Sequence, residues 1–355
     1  MFCIMEKILK VVEVMRFYIA CLFRKRDKLL IHHGGGEFAI GGPAIKLWRM
    51  QQYFPDIPFG YNIVYSVSGS ISENECQRAK QLGIPVVCHV NSVYHPLCGS
   101  DWQEKNKPFI NIRNKLADFI VYGSNFAKEG ADRYLGQIDK PYEIIYNALD
   151  TRFFRPLHTN INKNRFNVLV IGVHVNRTRI EPIIEAMPLI KHEFPQAKLI
   201  VAGRLCSGEG IWDCSRQIIE GICKKNDFQD IIFYGEYTQD EAPSIYSLGD
   251  IKVHLKCMDW TPNTVIESMA CAVPVVYLGN GGIPELVGES GYSLGIPNDW
   301  ESIHMPKIRD LAEAIIKLYF QRKEKGELAR QLAVERFDIA LWVKKHTEIF
   351  KRLLK

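Results

Sequence analysis

Short runs dense in β-branched and aromatic residues, each closed by a glycine or polar turn and followed by an amphipathic stretch, recur along most of this chain. That alternation restricts the fold more than any other feature. "KLLIHH", "YNIVYSV", "IPVVCHV", "DFIVYGS" and "YEIIYNA" read as strands buried on both faces. Between the first two lie a glycine-rich loop, "GGGEFAIGGPA", and the helical "IKLWRMQQYF", with Leu47, Met50 and Phe54 spaced for one face. The polar "DTRFFRPLHTNINKNRF" interrupts the pattern, which resumes with "NVLVIGV", "AKLIVAG", "DIIFYGE", "IKVHLK" and "VPVVYL", separated by helical segments. Strands alternating with helices pair in parallel under helical layers, so the expectation is two Rossmann-like, doubly wound α/β domains in tandem, at 28–158 and 159–325. A cleft at the carboxyl ends of their strands is the expected ligand position. The segment 326–355 is helical by periodicity, with no strand left to serve.

Composition supports a folded enzyme-sized chain. At 355 residues and 47% hydrophobic it can bury two cores, and 45 basic against 40 acidic residues leave a charge of +5, too mild and dispersed for a nucleic-acid partner. Ten cysteines occur without a C-x-x-C pair, which reads as reduced thiols and a cytoplasmic protein. No window of about 18 uncharged apolar residues suits a spanning helix. Residues 1–27 stand apart: "MEKILKVVEVMRFYIACLF" runs into the basic "RKRDK". Such a segment suits a helix lying in the interface on the inner face of a membrane, or one packed on the protein's own surface.

The chemistry concentrates in "DIKVHLKCMDWTPNTVIE". The strand delivers Asp259 to the carboxyl edge of the sheet, Thr261 is the cap candidate, and Pro262 fits the first helical turn. The amides of Asn263 and Thr264, with the helix dipole, then make a phosphate site at the cleft. Glu267, further along, would repel phosphate but can accept hydrogen bonds from hydroxyl groups. By these features alone, a capped helix with an incidental glutamate is an equal reading.

The longer stretch "DWTPNTVIESMACAVPVVYLGNGGIPELV" resembles the signature of retaining glycosyltransferases of family 4, which have the GT-B fold. There, two acids with seven residues between them precede "EAMACGxPVV" and "GGxPEhV"; here the acids are Asp259 and Glu267, and the tail is Gly281 to Val287. "GGPA" looks like the N-domain glycine loop, with Gly41 and Gly42 facing the donor diphosphate. "VYGSNFAKEGADRYLG", "IIYNALDTRFFRP" and a terminal helix bearing Trp342, which would return 326–355 to the first domain, are also similar to family segments. The resemblance implies transfer of a sugar from a nucleotide-sugar to a glycan, lipid-linked or protein-linked acceptor with retained configuration. It implies that Glu267 holds the ribose, Asp259 the sugar, and the Asn263 and Thr264 amides the diphosphate.

Three departures stand out. Asp259 replaces the usual glutamate. The family's phosphate-binding Arg and Lys align with Val173 and Thr178, so Arg177 is the expected cation, with Arg179 the alternative and Arg204 a further candidate. The family's N-domain histidine aligns with Asn91, with His89 and His95 beside it in "VVCHVNSVYH". Asn91 and His89 are therefore catalytic candidates, and Tyr237 is a candidate to stack near the base. No D-x-D occurs, which points to a metal-independent reaction with no cofactor besides the donor substrate. A nucleotide-sugar epimerase, a phosphorylase, or a non-catalytic nucleotide-sugar-binding protein are the alternatives on the same fold.

Overall fold

The computed structural model describes residues 28–35, 42–157 and 164–355, so the segment 1–27 and Gly41 lie outside the described residues. The chain forms two compact units. One takes in the described residues up to Tyr146 together with Leu341–Lys355; the other spans Asn147–Ala340. The division thus falls earlier than the polar interruption near 158, and of the expected return segment 326–355 only the last part clusters with the first unit.

The first unit is built on a five-stranded sheet in the order β1 (Ile31–His32), β2 (Ile63–Val67), β3 (Val86–Val90), β4 (Phe119–Tyr122), β5 (Tyr142–Ile144). Every pairing is parallel, for example Val64 with Val86 and Val87 with Phe119. The residues of β2, β3 and β4 are buried throughout, as continuous β-branched runs in a covered parallel sheet must be. Helices α1 (Gly42–Tyr53), α2 (Glu73–Gln81), α3 (Trp102–Asn111) and α4 (Asn125–Tyr134) connect the strands, and α12 (Ile339–Leu353) joins this unit. Local sequence explains their starts: Ser72 and Glu75 form a reciprocal capping box on α2, and Ser124 caps α4. The chain leaves α3 through a wider turn, closed by the Ala117 amide on the Ile112 carbonyl at 2.8 Å. In that turn Arg113, fully buried, donates to the Tyr122 hydroxyl at 2.8 Å, to Asp132 at 2.7 Å and to the Gly136 carbonyl at 2.7 Å.

The second unit carries a six-stranded parallel sheet. Its strands are β6 (Phe166–Ile171), β7 (Ala197–Ala202), β8 (Ile231–Gly235), β9 (Ile251–His254), β10 (Val275–Tyr277) and β11 (Tyr292–Ser293), in the spatial order β11-β10-β9-β6-β7-β8. The chain winds outward from β6 to β8, then returns to β9 beside β6 and winds outward the other way. That reversal is a topological switch point, where neighbouring crossovers diverge and leave an open crevice at the carboxyl ends of β6 and β9. Helix α5 (Glu181–Glu193) and α10 (Ile308–Phe320) cover one face; Ile183, Ile184, Met187, Leu311, Ile315 and Leu318 join Val168 and Val170 in its core. Each such side chain contributes about 1.5–3 kcal/mol by leaving water. Helices α6 (Arg216–Lys225), α7 (Ala242–Tyr246), α8 (Asn263–Ala270), α9 (Ile283–Val287) and α11 (Arg322–Phe337) complete the unit.

Two backbone contacts fix the site's surroundings. A Cβ on Gly203 (φ +101°) would stand 2.0 Å from the Gly172 carbonyl oxygen, so the turns after β6 and β7 touch main chain to main chain. Likewise Gly326 of α11 lies against the turn that ends α8, where an added Cβ would meet the Ala272 carbonyl oxygen at 2.3 Å. In that turn Ala272 holds φ +58°, a left-handed conformation that suits glycine. From α11 Arg330 donates to the Ala270 carbonyl at 3.0 Å, placing a cation on the last turn of α8. Among the described residues no helix is long and apolar enough to cross a membrane.

These contacts set opposite expectations for two substitutions. Gly203→Ala should lower the urea midpoint, with a loss of about 2 kcal/mol or more, since backbone must move. Ala272→Gly should raise it by about 0.5–1 kcal/mol, because relief of left-handed strain exceeds the added entropy of the unfolded chain.

Candidate active site

The loop between β9 and α8 delivers Asp259, and the main chain around it is clamped. The Met258 amide, on a residue at φ +52°, donates to the Asn280 side chain at 3.0 Å. The Gly282 amide donates to the Asp259 carbonyl at 2.8 Å. Gly281, at φ +74°, lies so close that a Cβ would fall 2.4 Å from that carbonyl oxygen, which explains the first glycine of "GGIPE". The carboxylate itself, 6% exposed, accepts from Lys256 Nζ at 2.6 Å, from the Trp260 amide at 3.0 Å and from His254 Nε2 at 3.0 Å. Burial alone would raise its pKa, but the Lys256 ammonium and the His254 bond outweigh it and hold the carboxyl far below the usual range. Burial pushes His254 down to about 4, so near neutral pH it is an uncharged ring donating Nε2–H.

Glu267 lies inside α8 and is 4% exposed. One carboxylate oxygen accepts from the Tyr246 hydroxyl at 2.9 Å, the other from Gln239 Nε2 at 3.3 Å. Tyr237 is half-buried beside it; burial, then the charge of Glu267, pushes its phenol upward. The helix begins one step later than expected. Thr261 is not its cap: Pro262 occupies that place with φ −67° and ψ 121°, and no side chain caps the helix. The proline ring forces Thr261 out of the helical region, and Pro262 itself stays extended, so helical dihedrals start at Asn263. The Thr261 hydroxyl is buried without a hydrogen-bond partner among the described residues, while its carbonyl accepts from Asn147 at 2.6 Å. With Arg330 at its far end, α8 presents its positive end and first-turn amides, those of Asn263 and Thr264 included, at the switch point.

The turn after β6 comes next to this helix start: a Cβ on Gly172 would lie 3.7 Å from the Thr264 methyl. His174 is fixed there by a 3.0 Å bond from Nε2 to the Ala202 carbonyl, and burial draws it down to about 4. Asn176 caps the short turn Arg177–Arg179. The two candidate cations diverge from that turn. Arg177 pairs with Glu181 at 3.2 Å. Arg179 donates to the Val173 carbonyl at 3.0 Å; burial lowers its pKa, and the negative charge of Asp259 works against that. Arg204 presents an exposed side chain after β7, and its carbonyl accepts the His174 amide at 2.8 Å.

His89 and Asn91 belong to the first unit, at the end of β3. Asn91 accepts from Lys46 Nζ at 2.8 Å, and the same nitrogen lies 2.7 Å from His89 Nε2. His89 Nδ1 bonds the Tyr65 hydroxyl, which lies 2.8 Å from His346 Nε2 on α12, and His346 Nδ1 lies 2.9 Å from the Trp342 carbonyl. The carbonyl can only accept, so His346 donates from Nδ1, Tyr65 donates to His346, His89 donates to Tyr65, and Lys46 donates to His89. Both ring nitrogens of His89 are thus used inside the unit. Burial first, then Lys46, holds its pKa well below the ordinary histidine value. Gly42 opens α1, while Gly41 is outside the described residues. Sequence reasoning missed Lys252, His254, Lys256, Tyr246 and Gln239. A signal existed for the first two: alternation in "DIKVHLK" sets a lysine and a histidine on one face of a strand bounded by apolar runs.

Residues 165–320 match the family described as Glycosyl transferases group 1. The N-acetyl-alpha-D-glucosaminyl L-malate synthase of Bacillus anthracis is 23% identical over 227 residues, 61% of this chain and 55% of that protein. The Arabidopsis thaliana phosphatidylinositol N-acetylglucosaminyltransferase subunit is 22% identical over 332 residues, 85% of this chain and 69% of that protein. The chain therefore spans about half to two-thirds of the length of these relatives. Among solved structures, Anabaena HepE in complex with UDP superposes with a TM-score of 0.67 at 19% identity, covering 88% of this chain and 82% of that one. Sucrose-phosphate synthase from Thermosynechococcus elongatus gives a TM-score of 0.65 at 17% identity, with 87% and 76% covered. The second unit thus carries the match to the group 1 glycosyltransferases, over residues 165–320, and the chain has the two-domain α/β fold of the glycosyltransferase structures on which it superposes.

Proposed function

We propose that this chain is a retaining glycosyltransferase that moves a sugar from a nucleotide-sugar donor to a glycan, lipid-linked or protein-linked acceptor. The observation that carries the reading is the pair of buried carboxylates, Asp259 and Glu267, set around the start of a helix whose cap residue is a proline. In this reading Glu267 accepts from the ribose hydroxyls, Tyr237 lies against the base, and the amides of Asn263 and Thr264 hold the diphosphate. Asp259 holds the sugar. Arg179, which shares the field of Asp259, is the phosphate cation in preference to Arg177, which Glu181 engages. Asn91, Gly41 and Gly42 are assigned to substrate by resemblance alone, and His89 acts through Lys46 rather than on substrate.

As the bond from sugar to phosphate breaks, negative charge grows on the diphosphate. Fixed amides and a guanidinium aimed there stabilise the transition state more than the ground state. The acceptor then attacks on the face the diphosphate leaves, and a phosphate oxygen takes its proton, so configuration is retained without an enzyme nucleophile. Asp259 suits a holding role in such a step: Lys256, His254 and the Trp260 amide already engage its oxygens. The solved relative bound to UDP-glucose, and relatives named for N-acetylglucosaminyl transfer, make UDP-glucose and UDP-N-acetylglucosamine the first donors to test.

Asp259→Asn is expected to cut transfer about 100-fold while UDP affinity stays within about threefold. Glu267→Gln is expected to weaken UDP binding about tenfold. Intact UDP binding in the wild type with no transfer to any acceptor would leave a binding protein, and product from donor alone would indicate an epimerase or phosphorylase.

The same reading is metal-independent, so transfer in excess EDTA should stay within about twofold of the untreated rate. Restoration of a lost rate by Mg²⁺ or Mn²⁺ would overturn that part. It also includes peripheral attachment to the inner face of a membrane through residues 1–27. Deleting them should abolish binding to anionic vesicles in a sedimentation assay, and unchanged binding would remove the attachment from the scheme.

A further inference from the structure

Lys252 stands in the middle of β9, paired in register with Leu169 of β6 and Val275 of β10, at the switch point itself. Its side chain is fully buried, and its Nζ has no hydrogen-bond partner among the described residues. An amine in that state costs stability, and a leucine or methionine would fill the space without the penalty. The charges that bear on it are those of the site: Glu267 from α8 and Asp259 from the following loop, both attractive. The same amine opposes protonation of His254 on its own strand and of His174 after β6. Lys252 therefore lies within the field of both acids, while among the described residues Glu267 has only the neutral Tyr246 and Gln239 as hydrogen-bond donors.

We propose that Lys252 is the buried counter-charge of the donor site, taking up a proton when a nucleoside diphosphate binds at the start of α8. The inference rests on the donor-site reading above. The proton comes from solvent and ends on Nζ; no bond is made or broken in the donor. The requirement is electrostatic. Arrival of the diphosphate adds negative charge next to two carboxylates, and one ammonium behind them offsets the repulsion at short range in a medium that screens weakly. Lys252 is the side chain for this because burial brings it down to about 7, against the attraction of Glu267 and Asp259, whereas His254 and His174 lie near 4. The sign follows. Above pH 7 the empty site holds Lys252 largely uncharged, binding raises its affinity for a proton, and nucleotide affinity falls as pH rises.

The test is calorimetry of UDP, with GDP in parallel, binding to the full chain at about pH 8, where the terminal phosphate is already ionised. Repeating it in buffers of different ionisation enthalpy counts protons. Wild type is expected to take up a sizeable fraction of one proton, and its affinity to fall by up to about tenfold per pH unit between about pH 7.5 and 9. Lys252→Met is expected to take up none, to bind with affinity flat within about twofold over that range, and to melt no lower than wild type when empty. Wild-type binding without proton uptake overturns the proposal while leaving the donor site standing, and so does a Met variant with unchanged uptake. Should the Met variant not fold, Lys252 is a structural requirement and the proposal falls. Failure of both nucleotides to bind wild type overturns the donor-site reading and this inference together.

Discussion

The second unit depends on one polarised element, α8, whose two ends are treated in opposite ways. At the carboxyl end Arg330 takes the Ala270 carbonyl and Gly326 lets α11 close against the following turn. At the amino end the cap residue, Pro262, offers no side-chain bond, and the chain before it is pinned through Asp259 by the loop of Asn280 to Gly282. A helix neutralised at one end and open at the other directs its field outward at the switch point. The positions of Asp259, Glu267 and Arg179 have meaning only relative to that end.

Much of this was legible in the residues. Continuous β-branched runs located the strands because parallel sheets are covered on both faces, and the acid pair with its glycine tail marked the loop and helix. What escaped was decided by three-dimensional direction rather than by residue type. Thr261 looked like a cap, but Pro262 stays extended, so the helix starts one residue later than a threonine cap requires. Arg177 and Arg179 are equivalent in sequence; only the capped turn sends one to Glu181 and brings the other within the field of Asp259. Lys252 was hidden because it sits inside a run that reads as strand, where a lysine is easily taken for an edge residue.

The first unit shows the same limit in another form. His89 was conspicuous as a histidine at a strand's carboxyl end, a position that attracts functional readings. Its neighbours in space come from α1, β2 and α12, and the last of these is more than two hundred residues away in sequence. No local pattern announces such a partner. The ring is a relay between Lys46 and Tyr65, and the residue that Lys46 engages beyond it is Asn91.

That relay runs from the Trp342 carbonyl through His346, Tyr65 and His89 to Lys46, which donates both to His89 and to Asn91, and only one arrangement of its hydrogens satisfies every link. It behaves as a single unit of orientation rather than as separate bonds. Turning one ring breaks its bonds on both sides, so the place of the ammonium from which Asn91 accepts depends on a chain anchored at a helix carbonyl. A change at His346 would then be felt at the ammonium that holds Asn91, with no atom of Asn91 altered.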